Sequence, residues 1–128
     1  MGLRIMIVDD EAGLLDGLKD FFQAMGHTVF ATLTGDEAVK ILEKETLDVA
    51  LCDLMLQNST LTGLDVVKEI SLKHPKTKII IMTGHGKDKV IYDMCMKYNP
   101  YRYFDKPIDL LKIQNALKEL EKTITKQS

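Results

Sequence analysis

The sequence predicts an α/β protein with an open, doubly wound parallel sheet of five strands and with helices on both faces. Short apolar runs alternate five times with amphipathic segments along the 128 residues. This strand–helix alternation favours right-handed crossovers within one parallel sheet. Residues of a candidate polar site follow four of the five runs, at the edge where such sheets bind ligands. Five strand–helix units are too few for an eight-stranded barrel.

The predicted strands are short and rich in branched apolar residues. Residues 3–8 (LRIMIV) are apolar on both faces, as expected for a strand buried inside a parallel sheet. Residues 27–33, 48–52, 78–82 and 101–104 give the other four strands.

Apolar residues recur at helical spacing after each strand. Gly26 ends the first helix. Thr34 with Glu37 forms a capping-box pattern that begins the second helix, and Thr62 with Asp65 predicts a further cap. The apolar positions of the last helix are Leu110, Ile113, Leu117, Leu120 and Ile124. Their spacing is like that of a coiled-coil seam, but the stripe is short, so we expect it to pack on the sheet.

The composition excludes several classes of function. Hydrophobic residues make up 45% of the chain, enough to bury a core, and the net charge of −2 gives no reason to expect nucleic-acid binding. No apolar run approaches the roughly 18 residues that span a bilayer, and acids come too early for a signal peptide. Cys52 and Cys95 form no metal-binding pair, so we expect buried, reduced thiols in a cytoplasmic protein.

The polar residues that follow the strands form the candidate site. Asp9 and Asp10 follow the first strand, and Asp53 follows the third. Thr83 follows the fourth strand and Lys106 the fifth. Because the carboxyl ends of parallel strands lie at one edge of the sheet, we expect these residues to meet there. Crowded carboxylates favour a hard divalent cation such as Mg²⁺. With a lysine, a hydroxyl donor and a carboxylate nucleophile, they are the parts of a phosphoryl-transfer site.

Each of these residues also has a plainer interpretation. The two adjacent acids suit the positive end of a helix dipole, and Asp53 alone is more often a cap or turn residue. Thr83 with Gly84 is compatible with a simple turn. Lys106 precedes a proline, which is favoured at the first position of a helix. The occurrence of all of them at strand ends favours the site.

Four motifs in order carry a resemblance to a known family. They are V-D-D-E, C-D-L-M-L, I-M-T-G and Y-F-D-K-P, each at the carboxyl end of a predicted strand. Each motif alone is common, but the set resembles the receiver domain of response regulators in two-component signalling. The resemblance covers residues of about 3–124 and implies a CheY-like, flavodoxin-like (βα)5 fold.

The resemblance implies a role for each acid of the site. Asp53 would accept a phosphoryl group from a phosphohistidine on a partner kinase. Asp10 would bind Mg²⁺ directly, and Asp9 would help through the metal or its waters. Asp53 and the main-chain carbonyl of Met55 would be further metal ligands.

The resemblance also implies a switch. Lys106 would pair with Asp53 and then with the phosphate, and the Lys106–Pro107 peptide bond would be cis. Thr83 would bond a phosphoryl oxygen, and Tyr103 would couple the site to the outer surface. His85 either influences the lifetime of the phosphoryl group or is an exposed loop histidine.

On this basis we expect a signalling receiver that catalyses only its own phosphorylation and dephosphorylation. Residues 1–128 would form one receiver domain, in which 121–128 are either a frayed end or the start of a linker. Its partners would be a sensor histidine kinase or phosphotransfer protein and either a downstream protein or a covalently linked effector domain. We expect no direct nucleic-acid binding and no membrane insertion.

Two other functions are compatible with the same fold. A pseudo-receiver would act only as a protein-interaction module, and the intact acidic set argues against it. A Mg²⁺-dependent phosphatase with an aspartyl intermediate usually needs a second acid two residues after the nucleophile, where this chain has Met55.

The sequence departs from the family pattern in two places. Receivers commonly have a proline four residues after the phosphorylated aspartate and a glycine four residues later. Here Gln57 stands at the first position and Gly63 comes two residues late, so we expect the polar loop 57–62 to be mobile. Asn99 and Pro100 replace the usual Gly-Ala. Asparagine adopts the left-handed conformation at a helix end, and the proline stiffens the approach to the fifth strand.

Overall fold

The computed structural model describes the backbone of residues 2–127 and the side chains of residues 2–124. Five strands alternate with five helices in chain order. The elements are β1 (Arg4–Val8), α1 (Ala12–Ala24), β2 (Thr28–Thr32), α2 (Gly35–Lys44), β3 (Val49–Asp53), α3 (Gly63–Lys73), β4 (Lys78–Thr83), α4 (Lys89–Met96), β5 (Arg102–Asp105) and α5 (Leu110–Gln127).

All strand pairs are parallel, and the strand order is β2-β1-β3-β4-β5. The predicted doubly wound fold is therefore confirmed. The chain leaves β1 in one direction to form β2 and crosses back to form β3, so the strand order reverses between β1 and β3. Ligand sites of open α/β sheets lie outside the carboxyl ends of the strands at such a reversal.

The sheet separates two apolar cores. Along β1, Ile5 and Ile7 face a core shared with α1 and α5. Met6 and Val8 alternate with them and face a second core with α2, α3 and α4. Residues 49–53 of β3 are all buried. Burial on both faces explains why β1 and β3 have nearly continuous apolar sequences rather than alternating ones.

The helix boundaries follow local chemistry. The Thr62 hydroxyl accepts the Asp65 N–H at 3.1 Å and the Asp65 carboxylate accepts the Thr62 N–H at 2.9 Å, which completes a capping box at α3. At α2 the Thr34 hydroxyl accepts the Glu37 N–H at 3.2 Å. Among the described side chains Glu37 returns no bond to Thr34, so half of the predicted box forms there.

Backbone conformation confirms three further predictions. Gly26, after α1, has a φ of 95°, which favours glycine, and Asn99, after α4, has a φ of 55°. The Lys106–Pro107 bond is cis. The predicted frayed end or linker at 121–128 is helical as far as Gln127, and Ser128 lies outside the described residues. Within the described part of the chain, no helix is both long and apolar enough to cross a bilayer.

Candidate functional site

The topology brings the five predicted site residues to one edge of the sheet. Asp53 and Thr83 are the last residues of β3 and β4, and Asp9 comes directly after β1. Lys106 comes just after β5, and its ammonium group reaches Asp9 beside β1 and Asp53 at the end of β3. Asp9 and Thr83 are fully buried and Asp53 is 4% exposed, so the site lies at the top of the core rather than on an open surface.

Lys106 joins two of the carboxylates. Its Nζ lies 2.8 Å from Asp53 Oδ2 and 2.9 Å from Asp9 Oδ2. Its own side chain is 20% exposed, so the ammonium keeps some contact with water. A lysine in this position compensates negative charge on two neighbouring strands at once.

Burial and charge oppose each other at Asp53. Loss of water raises the pKa of Asp53, the hydrogen bond and charge of Lys106 lower it, and the balance leaves the pKa above its usual value. At Lys106, burial lowers the pKa, but the hydrogen bonds to Asp53 and Asp9 outweigh it and the pKa is raised. The ion pair therefore compensates Asp53 only in part, because burial raises its pKa most strongly and the Asp9 charge raises it further.

Three carboxylates form a group that fits a divalent cation. One oxygen each from Asp9, Asp10 and Asp53 lies within 4.8 Å of the others. Carboxylate oxygens are the donors that Mg²⁺ prefers, and a partly open acidic site leaves room for its waters. Near the group, the Met55 N–H donates to Asp53 Oδ1 at 3.3 Å. The metal role of the Met55 carbonyl stays a prediction.

Backbone amides orient the two acids that follow β1. The Glu11 N–H donates to Asp9 Oδ1 at 2.9 Å, and the Gln57 N–H donates to Asp10 Oδ2 at 2.9 Å. Sequence reasoning missed both donors, since main-chain N–H groups have no signature in the sequence.

A cleft of about 400 Å³ gives access to the group from solvent. Its lining residues are Asp10, Asp53, Met55, Leu56, Gln57, Gly84, His85 and Lys106. His85 is therefore brought to the site. His27 is not: it is buried, and its Nδ1 accepts the Leu3 N–H at 2.9 Å.

Thr83 lies behind this cleft. Its hydroxyl accepts the His85 N–H at 3.0 Å, and its carbonyl accepts the Lys106 N–H at 2.8 Å. The residue lines a separate apolar cavity of about 190 Å³ between α3 and α4. The predicted bond from the Thr83 hydroxyl to a phosphoryl oxygen stays a prediction.

Tyr103 lies beside α4. Its ring packs edge-on against Tyr92, with centroids 5.1 Å apart and an interplanar angle of 87°. Its hydroxyl is buried and has no hydrogen-bond partner among the described residues. Burial raises the pKa of the Tyr103 hydroxyl. Tyr103 thus connects β5 to α4 by packing, and its coupling role stays a prediction.

The loop after Asp53 has more contacts than expected. We predicted that residues 57–62 would be mobile, but the loop is hydrogen-bonded at both ends. The Asp36 carboxylate accepts the N–H groups of Thr60 and Leu61, each at 3.1 Å. The only sequence signal for this contact is the position of Asp36 in the first turn of α2. An acid there ordinarily indicates a favourable interaction with the helix dipole.

The cysteines have the predicted environment. Cys52 and Cys95 are both free and buried. Burial and the neighbouring Asp53 charge raise the pKa of Cys52 to about 12. Neither thiol lines the cleft.

The chain belongs to the response regulator receiver domain family, whose model matches residues 5–118. It is thus a receiver domain of two-component signalling. Sporulation initiation phosphotransferase F of Bacillus subtilis (strain 168) is 29% identical over 119 residues, which are 93% of this chain and 94% of that protein. Chemotaxis protein CheY of Thermotoga maritima is 29% identical over 123 residues, covering 95% of this chain and 100% of that protein.

Other relatives are longer. The chain spans 24% of a putative NtrX-like response regulator of Rickettsia felis, with 28% identity over 116 residues and 91% of this chain.

Among solved structures, a CheY-like receiver domain protein of Methanospirillum hungatei JF-1 has a TM-score of 0.82 at 28% identity. The match covers 96% of this chain and 99% of that one.

Proposed function

We propose that this receiver accepts a phosphoryl group on Asp53 in a Mg²⁺-dependent reaction and then changes a protein-binding surface. The observation that supports this most strongly is the meeting of Asp53 with two further acids and the bridging Lys106, from three separate parts of the chain. A purely structural ion pair does not call for a third carboxylate beside it.

The proposed donor is the phosphohistidine of a sensor histidine kinase or a phosphotransfer protein. A carboxylate oxygen of Asp53 attacks the phosphorus. The new O–P bond forms as the P–N bond breaks, and the electron pair of that bond returns to the donor imidazole. Lys106 already contacts Asp53 Oδ2, so its ammonium is in place to neutralise charge on the transferred group.

Asp9, Asp10 and Asp53 would hold Mg²⁺, with the Met55 carbonyl as a further ligand. When bound, the ion supplies positive charge to the phosphoryl oxygens and relieves the repulsion between the acids. Water reaches the acids through the cleft, so the chain can also hydrolyse its own aspartyl phosphate. It is otherwise not an enzyme.

The proposed output is a shift of Thr83 toward the phosphoryl group. That shift would break the bond from the His85 N–H to the Thr83 hydroxyl and disturb the β4–α4 connection. Tyr103 packs against α4 through Tyr92, so the face formed by α4, β5 and α5 would change with it.

The proposed output partner is a downstream protein or a covalently linked effector domain, since the NtrX-like relative is about four times as long as the matched region. We propose a cytoplasmic location, which suits the reduced thiols, with no direct nucleic-acid binding and no membrane insertion by this domain. The intact set of acids argues against a pseudo-receiver function.

Phosphorylation by a small donor tests this function. The chain is incubated with acetyl phosphate and MgCl₂, with excess EDTA in a parallel sample, and its intact mass is measured. We expect a gain of one phosphoryl group with Mg²⁺ and none with EDTA. Asp16→Asn, an exposed acid of α1, should behave like the wild type. Absence of any gain, or a gain that is unaffected by EDTA, would contradict the proposal.

A further inference from the structure

We infer that the loop of residues 57–62 is a positioning device, held by Asp36 of α2 so that the Gln57 N–H fixes the Asp10 carboxylate for cation binding. This inference rests on the proposed function and assigns to it a positioning residue, Asp36, that touches neither the cation nor the phosphoryl group. It depends on three connected contacts.

The first contact anchors the far end of the loop. Both oxygens of the Asp36 carboxylate are used, Oδ2 for the Thr60 N–H and Oδ1 for the Leu61 N–H, each at 3.1 Å. Hydrogen bonds to an ionised acceptor are stronger than neutral ones. Two parallel bonds also fix the orientation of the loop backbone relative to α2.

The second contact reinforces the anchor. The Ser59 hydroxyl accepts the Gly35 N–H at 2.9 Å and donates to the Leu61 carbonyl at 2.6 Å. A Cβ on Gly35 would lie 2.7 Å from the Leu61 carbonyl oxygen, so the backbones of α2 and the loop approach as closely as glycine allows. The loop therefore packs directly on the start of α2.

The third contact reaches the site. The Gln57 N–H donates to Asp10 Oδ2 at 2.9 Å. Between Gln57 and the residues held by Asp36, Asn58 takes a left-handed conformation with a φ of 55°, which turns the chain. A proline at position 57, the residue common in receivers, has no N–H to donate. The departure from the family pattern thus adds a hydrogen bond to one acid of the cation group.

The added bond should favour cation binding. Asp10 is only half-buried, and an unrestrained carboxylate there would lose side-chain freedom on binding Mg²⁺. With one oxygen fixed by the backbone, part of that loss has already occurred on folding. Partners that orient metal ligands commonly contribute at least tenfold to affinity. Asp36 acts through the loop and is a positioning residue.

A matched pair of variants in the first turn of α2 tests the inference. Asp36→Asn removes one acceptor of the anchor, whereas Glu37→Gln removes an equal charge from an exposed side chain next to it. Mg²⁺ affinity is measured by titrating MgCl₂ into each protein and following amide NMR shifts. We expect Asp36→Asn to weaken Mg²⁺ binding by about tenfold and Glu37→Gln to leave it unchanged.

Amide hydrogen exchange on the same proteins gives a readout independent of the cation. The Thr60 and Leu61 amides should exchange faster in Asp36→Asn than in Glu37→Gln. Gln57→Pro removes the donor itself and should weaken Mg²⁺ binding as much as Asp36→Asn does, while those two amides stay protected. Proline is readily accommodated before a left-handed turn residue.

The outcomes separate the inference from the proposed function. If the wild type gains a phosphoryl group but Asp36→Asn and Glu37→Gln bind Mg²⁺ equally well, the positioning role is wrong and the proposed function stands. Equal losses in both variants would show a general charge effect and would also overturn the role. A wild-type chain that neither binds Mg²⁺ nor gains a phosphoryl group would overturn both.

Discussion

Lys106 is the residue on which the balance of charge in the site depends. It is the one cation within hydrogen-bond distance of the acidic group among the described side chains, and it serves two of the three acids. Because Asp9 is fully buried and Asp53 nearly so, water compensates the charge of these carboxylates far less well than the ammonium does. The lysine therefore has a structural task before any phosphoryl group arrives.

Substitution of this lysine should destabilise the fold and impair phosphorylation. Lys106→Gln leaves Asp9 and Asp53 without their counter-charge, and we expect the free energy of unfolding to fall by about 2 kcal/mol without Mg²⁺. Urea unfolding measures the loss. Added MgCl₂ should restore part of it, since the cation relieves the same repulsion.

Lys87→Gln is the control, because Lys87 is an exposed lysine of the neighbouring loop. It should unfold like the wild type. If Lys106→Gln were as stable as Lys87→Gln, the proposed charge balance would be wrong.

For single residues, the sequence predicted the side chains of the site but not the main-chain groups that orient them. Asp9, Asp53 and Lys106 could be found because parallel topology brings strand ends together. The N–H donors at Glu11 and Gln57 could not, since every non-proline residue carries the same group. The position of Thr83 behind the cleft also depends on packing that its position at a strand end does not specify.

Between the elements, β4, β5 and α4 form a continuous connection from the site to the surface. Thr83 pairs in register with Asp105, and Ile81 pairs with Tyr103 two residues earlier. Tyr103 in turn packs on Tyr92 of α4. Under the proposed function, a movement of Thr83 would reach α4 along two routes, through the β4–α4 connection and through β5.

Loss of the Thr83 hydroxyl should separate phosphorylation from switching. We expect Thr83→Ala to gain a phosphoryl group on Asp53, because the acids and Lys106 are unchanged. The amide shifts that phosphorylation causes in α4 and β5 should largely disappear. NMR spectra before and after acetyl phosphate measure both effects.

Thr83→Ser keeps the hydroxyl and is the matched control, so it should retain those shifts. Full wild-type shifts in Thr83→Ala would mean that the signal leaves the site by another route.

The elements themselves could be predicted closely because each has a local cause. Thr62 and Asp65 cap α3 as the sequence indicated. Gly26 and Asn99 take the left-handed conformations expected at helix ends. The anchored loop could not be predicted, since Asp36 binds residues 24 and 25 positions away and no local pattern encodes that distance.

At the scale of the whole molecule, the buried acids of the site lower the free energy of unfolding. The doubly wound sheet places the acids at the strand reversal between β1 and β3, with apolar cores on both faces. Burial raises the pKa of Asp53 despite Lys106, so the folded state binds the Asp53 proton more tightly than the unfolded state does. Stability must then fall as the pH rises through that pKa.

Removal of this charge should stabilise the apo protein in a pH-dependent way. At a pH above both the folded and the unfolded pKa, the full cost of ionised Asp53 is present, and we expect Asp53→Asn to raise the free energy of unfolding by about 1 kcal/mol. The advantage should shrink as the pH falls through the raised folded pKa and vanish below the unfolded pKa of about 3.9, where the wild-type acid is protonated in both states.

Thermal unfolding in EDTA at several pH values measures the difference, and Asp16→Asn again serves as the control for an exposed acid. A destabilised Asp53→Asn at neutral pH would show that Lys106 more than compensates the buried charge, contrary to the raised pKa.

The location of the phosphoryl group tests the central claim most directly. After incubation with acetyl phosphate and MgCl₂, borohydride reduction converts an aspartyl phosphate to homoserine, and peptide mass spectrometry locates the changed residue. We predict homoserine at position 53 and unmodified aspartate at positions 9 and 10. Homoserine at another acid, or at none while the intact protein carries a phosphoryl group, would contradict the assignment of Asp53.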